Sequence, residues 1–172
     1  DSLFRAGFGE GAKVSEPETV FAFRDHLTFL ELVMPEAHKK MGLDAQAASL
    51  ATVQDTFSKR HGIRLYGEVT REGRTVGSEA ICHNKVIEEL ALPGQIVAGT
   101  DSHTCMGGGS NALSYGVGAT EYAALIHSGF TFVQTPESIR FELTGALDPG
   151  CTAKDVMLEI LATFARREDT LN

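Results

Sequence analysis

The chain has 172 residues, 15 Lys and Arg against 23 Asp and Glu, a formal net charge of −8 and three cysteines. The length suits one domain, or one lobe of a larger protein, and 42% hydrophobic content is enough to bury a core. The acidic balance excludes binding along a phosphate backbone, because there is no basic surplus to release counterions, and no apolar run is long enough for a membrane span.

The first predicted element is a short apolar strand over residues 19–24 (TVFAFR). A short helix is expected between Pro35 and Met41. A longer one follows over residues 44–61, with Asp44 as N-cap and Gly62 as its stop. Residues 63–69 read as a second strand. Residues 85–90 form a helical turn or two before Pro93-Gly94. Residues 95–100 are a strand that runs into a glycine-rich segment. Seven of the 18 glycines fall between Gly94 and Gly118, a density that implies tight turns or close backbone approach. Residues 119–128 form a helix closed by Gly129. Residues 138–144 alternate Ile139, Phe141 and Leu143 with Arg140 and Glu142, the pattern of a half-exposed strand. A last helix spans 152–166, opened by a capping-box-like Thr152…Asp155 pair. Strands alternating with helices predict a three-layer α/β/α fold on a mainly parallel sheet, with an antiparallel piece around 131–144, in one domain over residues 1–172.

Three polar groups stand out in this frame. Asp25-His26 follows the first strand, Cys82-His83-Asn84 lies before a short helix, and Asp101-Ser102-His103-Thr104 follows the strand at 95–100. In open α/β sheets ligands bind outside the carboxyl ends of strands, and carboxylate with imidazole is the pairing that proton transfer near neutral pH requires. Each group also has a plainer reading. An Asp-His dipeptide caps turns, His83 beside Ile81 and Cys82 can be a half-buried histidine, and the Asp101 cluster can cap a helix. His38, His61 and His127 read as surface or helix-end residues, and Cys82, Cys105 and Cys151 as incidental thiols in a reducing compartment. The triple glycine at 107–109 has neither dinucleotide nor P-loop spacing.

Taken in order, these segments resemble the aconitase family. PGQIVAGTDSHTCMGGGSNALSYGVGATE (93–121) is similar to its glycine-rich active-site signature, AICHNKVIEELALPG (80–94) to its Gly-Ile-x-His segment with Ala80 for the glycine, and FAFRDHLTF (21–29) to its Asp-His segment. CTAKDVMLEIL (151–161) is similar to a stretch of 3-isopropylmalate dehydratase large subunits. The resemblance covers nearly the whole chain. It implies a domain of a hydro-lyase that eliminates and re-adds water on a small hydroxy di- or tricarboxylic acid, in the isopropylmalate dehydratase or homoaconitase branch and hence in amino-acid biosynthesis. It implies Asp25, His26, His83, Asp101 and His103 as catalytic residues, Ser102 as a substrate contact, and a cytoplasmic or mitochondrial-matrix location. It also implies a [4Fe-4S] cluster whose cysteine ligands lie outside this chain. Partners would be the remaining domains or a small swivelling-domain subunit, and the chain alone would be inactive. Two other classes compete. One is a hydrolase with His26, His83 and His103, together with Asp25 or Asp101, as ligands of a single metal ion. The other is a truncated domain kept only for interaction.

Overall fold

The computed structural model describes residues 1–24 and 33–165, in two compact units, Asp1–Val133 and Gln134–Asn172. The expectation of an α/β fold holds, with mixed parallel and antiparallel pairing. Among the described residues, no helix is long and apolar enough to cross a membrane.

The first unit opens with α1 (Ser2–Phe8), which the sequence reading did not anticipate. Its Phe4 is 2% exposed and sits edge-on to Phe57 (5.4 Å between ring centroids), His61 (5.4 Å) and His127 (5.7 Å). Val14, Ile63, Ala123 and Ile126 complete this core, with Val20, Ala22 and Tyr122 packed against it. His61 and His127 are therefore parts of the core's edge rather than free surface groups. The Val14 N–H points to His61 Nδ1 at 3.4 Å, and His127 Nδ1 lies 3.0 Å from the Lys13 carbonyl.

After a 3₁₀ turn (Pro17–Thr19) comes β1 (Phe21–Phe23), shorter than the predicted strand because Thr19 is used in that turn. The short helix α2 (Glu36–Lys40) leads to α3 (Leu43–His61). Asp44 is not the N-cap of α3. Gly42, left-handed at φ 76°, takes that place, and the Asp44 carboxylate accepts the adjacent Ala45 N–H. Gly62 ends the helix as expected, left-handed at φ 72°.

The single strand predicted over 63–69 is two. β2 (Arg64–Tyr66) pairs in parallel with β1, and β3 (Glu68–Arg71) pairs antiparallel with β4 (Arg74–Ser78). The break falls at Gly67, whose N–H is taken by the Glu79 carboxylate (3.0 Å) instead of a neighbouring strand. Glu72 and Gly73 close the hairpin with φ of 51° and 74°, the doubly positive two-residue turn that suits twisted strands. Arg24 locks β1 to its neighbours. Its Nε donates to both Glu68 oxygens at 2.8 Å, one Nη reaches Asp55 at 2.8 Å, and the other reaches Gln54 (2.6 Å) and the Ala51 carbonyl (3.1 Å). Burial works against its charge, but the hydrogen bonds and charges of Glu68 and Asp55 outweigh it and hold the guanidinium protonated.

The chain then forms α4 (Cys82–Lys85), a wide helical turn (Val86–Leu90) and β5 (Ile96–Gly99). The glycine-rich segment is a 3₁₀ stretch (Thr104–Ser110) followed by β6 (Leu113–Gly116), a strand the sequence reading missed, which pairs in parallel with β5. Helix α5 (Ala119–Ser128) ends at Gly129 (φ 81°), as read from the sequence.

In the second unit, residues 138–144 join no strand ladder among the described residues, so the alternation there does not produce a strand. An alternating pattern needs a partner strand to become sheet. Helix α6 (Ala153–Ala165) carries the expected cap. Asp155 Oδ2 accepts the Thr152 N–H (2.7 Å) and hydroxyl (2.8 Å).

Candidate metal site

The site is assembled at the carboxyl end of β5, where Asp101 and His103 leave the strand and His83 approaches from α4. His83 Nε2 lies 3.1 Å from Asp101 Oδ1, and His103 Nδ1 lies 3.3 Å from the same oxygen. The two imidazole rings are 5.8 Å apart, tilted by 60°. Asp101 is the hub. Its Oδ1 also accepts the backbone N–H of His103 at 2.7 Å, and this bond, with the neighbouring His83 and His103, holds the carboxyl below the usual carboxylate range against the opposing effect of burial. A carboxylate held in its ionised form accepts hydrogen bonds and attracts cations.

The three side chains differ in access. That of His83 is 17% exposed, that of Asp101 41% and that of His103 73%. Ser102, also exposed, sits with its hydroxyl 3.2 Å from His103 Nδ1. An open recess of ≈ 360 Å³ lies beside them, lined by Thr100, Asp101, Ser102, Gly116 and Val117. The elements that carry the histidines are tied together, since the Ser110 hydroxyl donates to the Ile87 carbonyl at 3.1 Å and so joins the 3₁₀ stretch to the turn after α4.

Of the residues singled out from sequence, the structure thus brings together His83, Asp101, Ser102 and His103. Asp25 and His26 lie outside the described residues. Thr104 belongs to the polar group read from sequence, but its role in supporting Asp101, and Ser114 behind it, are what sequence reasoning missed. Ser114 belongs to the unread strand β6, and no local pattern announces it.

The metal chemistry implied by the resemblance requires correction. One group of imidazole and carboxylate ligands suits a metal among the described residues. It consists of His83, Asp101 and His103, with their ligand atoms within 4.8 Å of one another. Iron–sulfur clusters are held by thiolates, and no thiolate belongs to this group. Cys82 and Cys105 are not members of it, and Cys151 belongs to the second unit. The donors fit a single borderline cation, not a [4Fe-4S] cluster. The expectations of a [4Fe-4S] cofactor, and of water elimination and re-addition at such a cluster, are therefore replaced by a histidine-based site.

Comparison with known proteins fits the ordered motifs. The family model for the aconitase family (aconitate hydratase) matches residues 6–170. The chain is 41% identical over 121 residues to 3-isopropylmalate dehydratase large subunit 1 of Deinococcus radiodurans, covering 68% of this chain and 26% of that protein. It is 34% identical over 125 residues to the methanogen homoaconitase large subunit of Methanocaldococcus jannaschii, covering 73% and 28%. It is 33% identical over 162 residues to the 3-isopropylmalate dehydratase large subunit of Syntrophus aciditrophicus, covering 94% and 33%. The chain thus spans about a quarter to a third of the length of these relatives. With a family match over almost its entire length, the chain belongs to the aconitase family.

Proposed function

We propose that this chain supplies a histidine-based site for one divalent cation, at which water is activated for reaction with a small carboxylic acid. The observation that carries the reading is the convergence of His83 Nε2 and His103 Nδ1 on one oxygen of Asp101, at 3.1 and 3.3 Å. Tetrahedral ligands about 2.0–2.1 Å from a zinc ion stand about 3.3 Å from each other, so these separations suit neighbouring corners of such a polyhedron. Two imidazoles and a carboxylate also leave a position open, the composition of catalytic rather than structural sites.

A cation bound there would supply Lewis acidity and bring the pKa of a coordinated water toward neutrality. The chain's own residues do the rest. Asp101 offers an ionised oxygen, held in place by the His103 N–H. His83, carried on α4 and 17% exposed, offers its Nε2 from the sheltered side. His103 lies on the exposed side, and Ser102 beside it, which lines the recess, offers a hydroxyl to a substrate carboxylate or alcohol. Asp25 and His26 enter the proposal from sequence alone, as an acid–base pair near the substrate hydroxyl.

Two of the relatives above are named for dehydrating 3-isopropylmalate, which points to hydroxy acids as the substrate class and to hydro-lyase activity as the first to assay. Hydrolysis of esters or amides by the same activated water is the second. The proposal includes further domains or a second subunit to cover the exposed His103, so the chain alone is expected to bind metal and not to turn over. A cytoplasmic location belongs to the same proposal.

The test is a metal titration of the chain with Zn²⁺ and Co²⁺, followed by calorimetry and the Co²⁺ visible spectrum. One ion per chain, lost in His83→Ala and in Asp101→Ala, supports the reading. Metal that binds equally well to both variants would falsify it, as would no stoichiometric binding.

A further inference from the structure

Behind Asp101 runs a chain of hydroxyls. The Asp101 carbonyl accepts both the N–H (3.1 Å) and the hydroxyl (2.6 Å) of Thr104. The Thr104 carbonyl in turn accepts the hydroxyl of Ser114, on β6. Ser114 lies opposite Val97 of β5 in the parallel pair, so the chain of bonds anchors the Asp101 turn to the sheet it has just left.

Three glycines make room for it, one beside each of its three residues. A Cβ on Gly99 would stand 2.7 Å from the Thr104 hydroxyl, one on Gly107 would stand 2.5 Å from the Ser114 hydroxyl, and one on Gly116 would stand 2.9 Å from the Asp101 carbonyl oxygen. None of these three needs a positive φ, so space and not backbone conformation explains them. By contrast, a Cβ on Gly108 would meet nothing within 4 Å.

We propose that Thr104 and Ser114 are positioning residues for the His83–Asp101–His103 site, holding the Asp101 turn through its carbonyl, and that Gly99, Gly107 and Gly116 are required by this hydroxyl chain. The inference rests on the metal reading above for its function, but its geometry is independent of it. Metal ligands must be held within about 0.5 Å of the productive arrangement, and the groups that orient them carry much of the affinity. Removing the Thr104 hydroxyl leaves the Thr104 N–H bond to Asp101 in place, so the turn persists while its pitch is freed.

The experiment compares wild type, Thr104→Val, Thr104→Ser and Ser114→Ala by Co²⁺ titration, by the Co²⁺ spectrum and by thermal melting of the metal-free chain. Thr104→Val should weaken Co²⁺ binding by about 10- to 100-fold, in line with the loss of groups that orient metal ligands. It should also change the visible band, with Thr104→Ser restoring both and the melting temperature nearly unmoved. Wild-type affinity and spectrum in both Thr104→Val and Ser114→Ala would overturn the proposal. If Thr104→Val fails to fold, Ser114→Ala alone decides between these two results. If wild type binds no Co²⁺, the metal reading fails and the positioning claim is read from imidazole ¹H–¹⁵N shifts. These should then move for His83 and His103 in Thr104→Val, with His61 and His127 as unmoved controls. Unmoved shifts at His83 and His103 would overturn it.

Discussion

Replacing Arg24 by alanine tests how the first strand is held in front of the segment that carries Asp25 and His26. The side chain is 9% exposed and has five polar contacts in two elements, α3 and β3. Glu68 and Asp55, 36% and 41% exposed, can turn to water when the guanidinium is gone, so their loss costs little. The Gln54 carbonyl and the Ala51 carbonyl are more sheltered, and each loses a donor worth about 1 kcal/mol. The buried aliphatic stem adds roughly 1–2 kcal/mol, taken at less than its full transfer value because water enters the gap. Arg24→Ala is thus expected to destabilise the chain by about 3–4 kcal/mol. Arg24→Lys should recover only part of this, since a single ammonium cannot serve Glu68, Asp55 and Gln54 together. The assay is urea unfolding followed by circular dichroism, in which the midpoint should fall with the slope unchanged. A loss below about 1 kcal/mol, or full recovery with lysine, would refute the view that a planar, multiply bonded guanidinium holds β1 in place.

Two further predictions concern stability. Ser58 is 3% exposed and its hydroxyl has no hydrogen-bond partner among the described residues, so Ser58→Ala should leave stability unchanged or raise it by up to about 1 kcal/mol in the same urea assay; a clear loss would point to an ordered partner for this hydroxyl. The His61 imidazole is held below its ordinary value of 6.5, by burial first and then by neighbouring positive charge including Arg60, so its contribution is complete above pH 6.5 and is lost as pH falls through the lowered native value. The urea midpoint should therefore drop between pH 7.5 and 5 in wild type and drop less in His61→Gln, and equal slopes in the two would contradict the assignment.

The parts of the fold that could be read from sequence were those marked by local chemistry. Gly62 and Gly129 end their helices in the left-handed region, and Thr152 with Asp155 caps the last one, because such signals act within one turn of chain. Asp44 misled, because its carboxylate found the adjacent N–H while the flexible Gly42 took the capping position. Strand β6 (Leu-Ser-Tyr-Gly) carries too few strand formers to be seen alone and exists through its pairing with β5. Residues 138–144 show the converse, a good pattern outside any ladder. In the site, the motif order pointed to His83, Asp101 and His103, but not to the oxygen on which both rings converge, which depends on how α4 packs against the 3₁₀ stretch. The resemblance carried its family's cluster with it, while the donors gathered here are nitrogen and oxygen.

A histidine-based cation site is tested most directly by titrating the chain with Co²⁺ and reading stoichiometry and visible spectrum together. The expected result is one ion per chain, a spectrum of nitrogen and oxygen ligands without a sulfur charge-transfer band, and loss of both in His83→Ala. A sulfur-to-cobalt band, or binding that survives removal of His83, would contradict it.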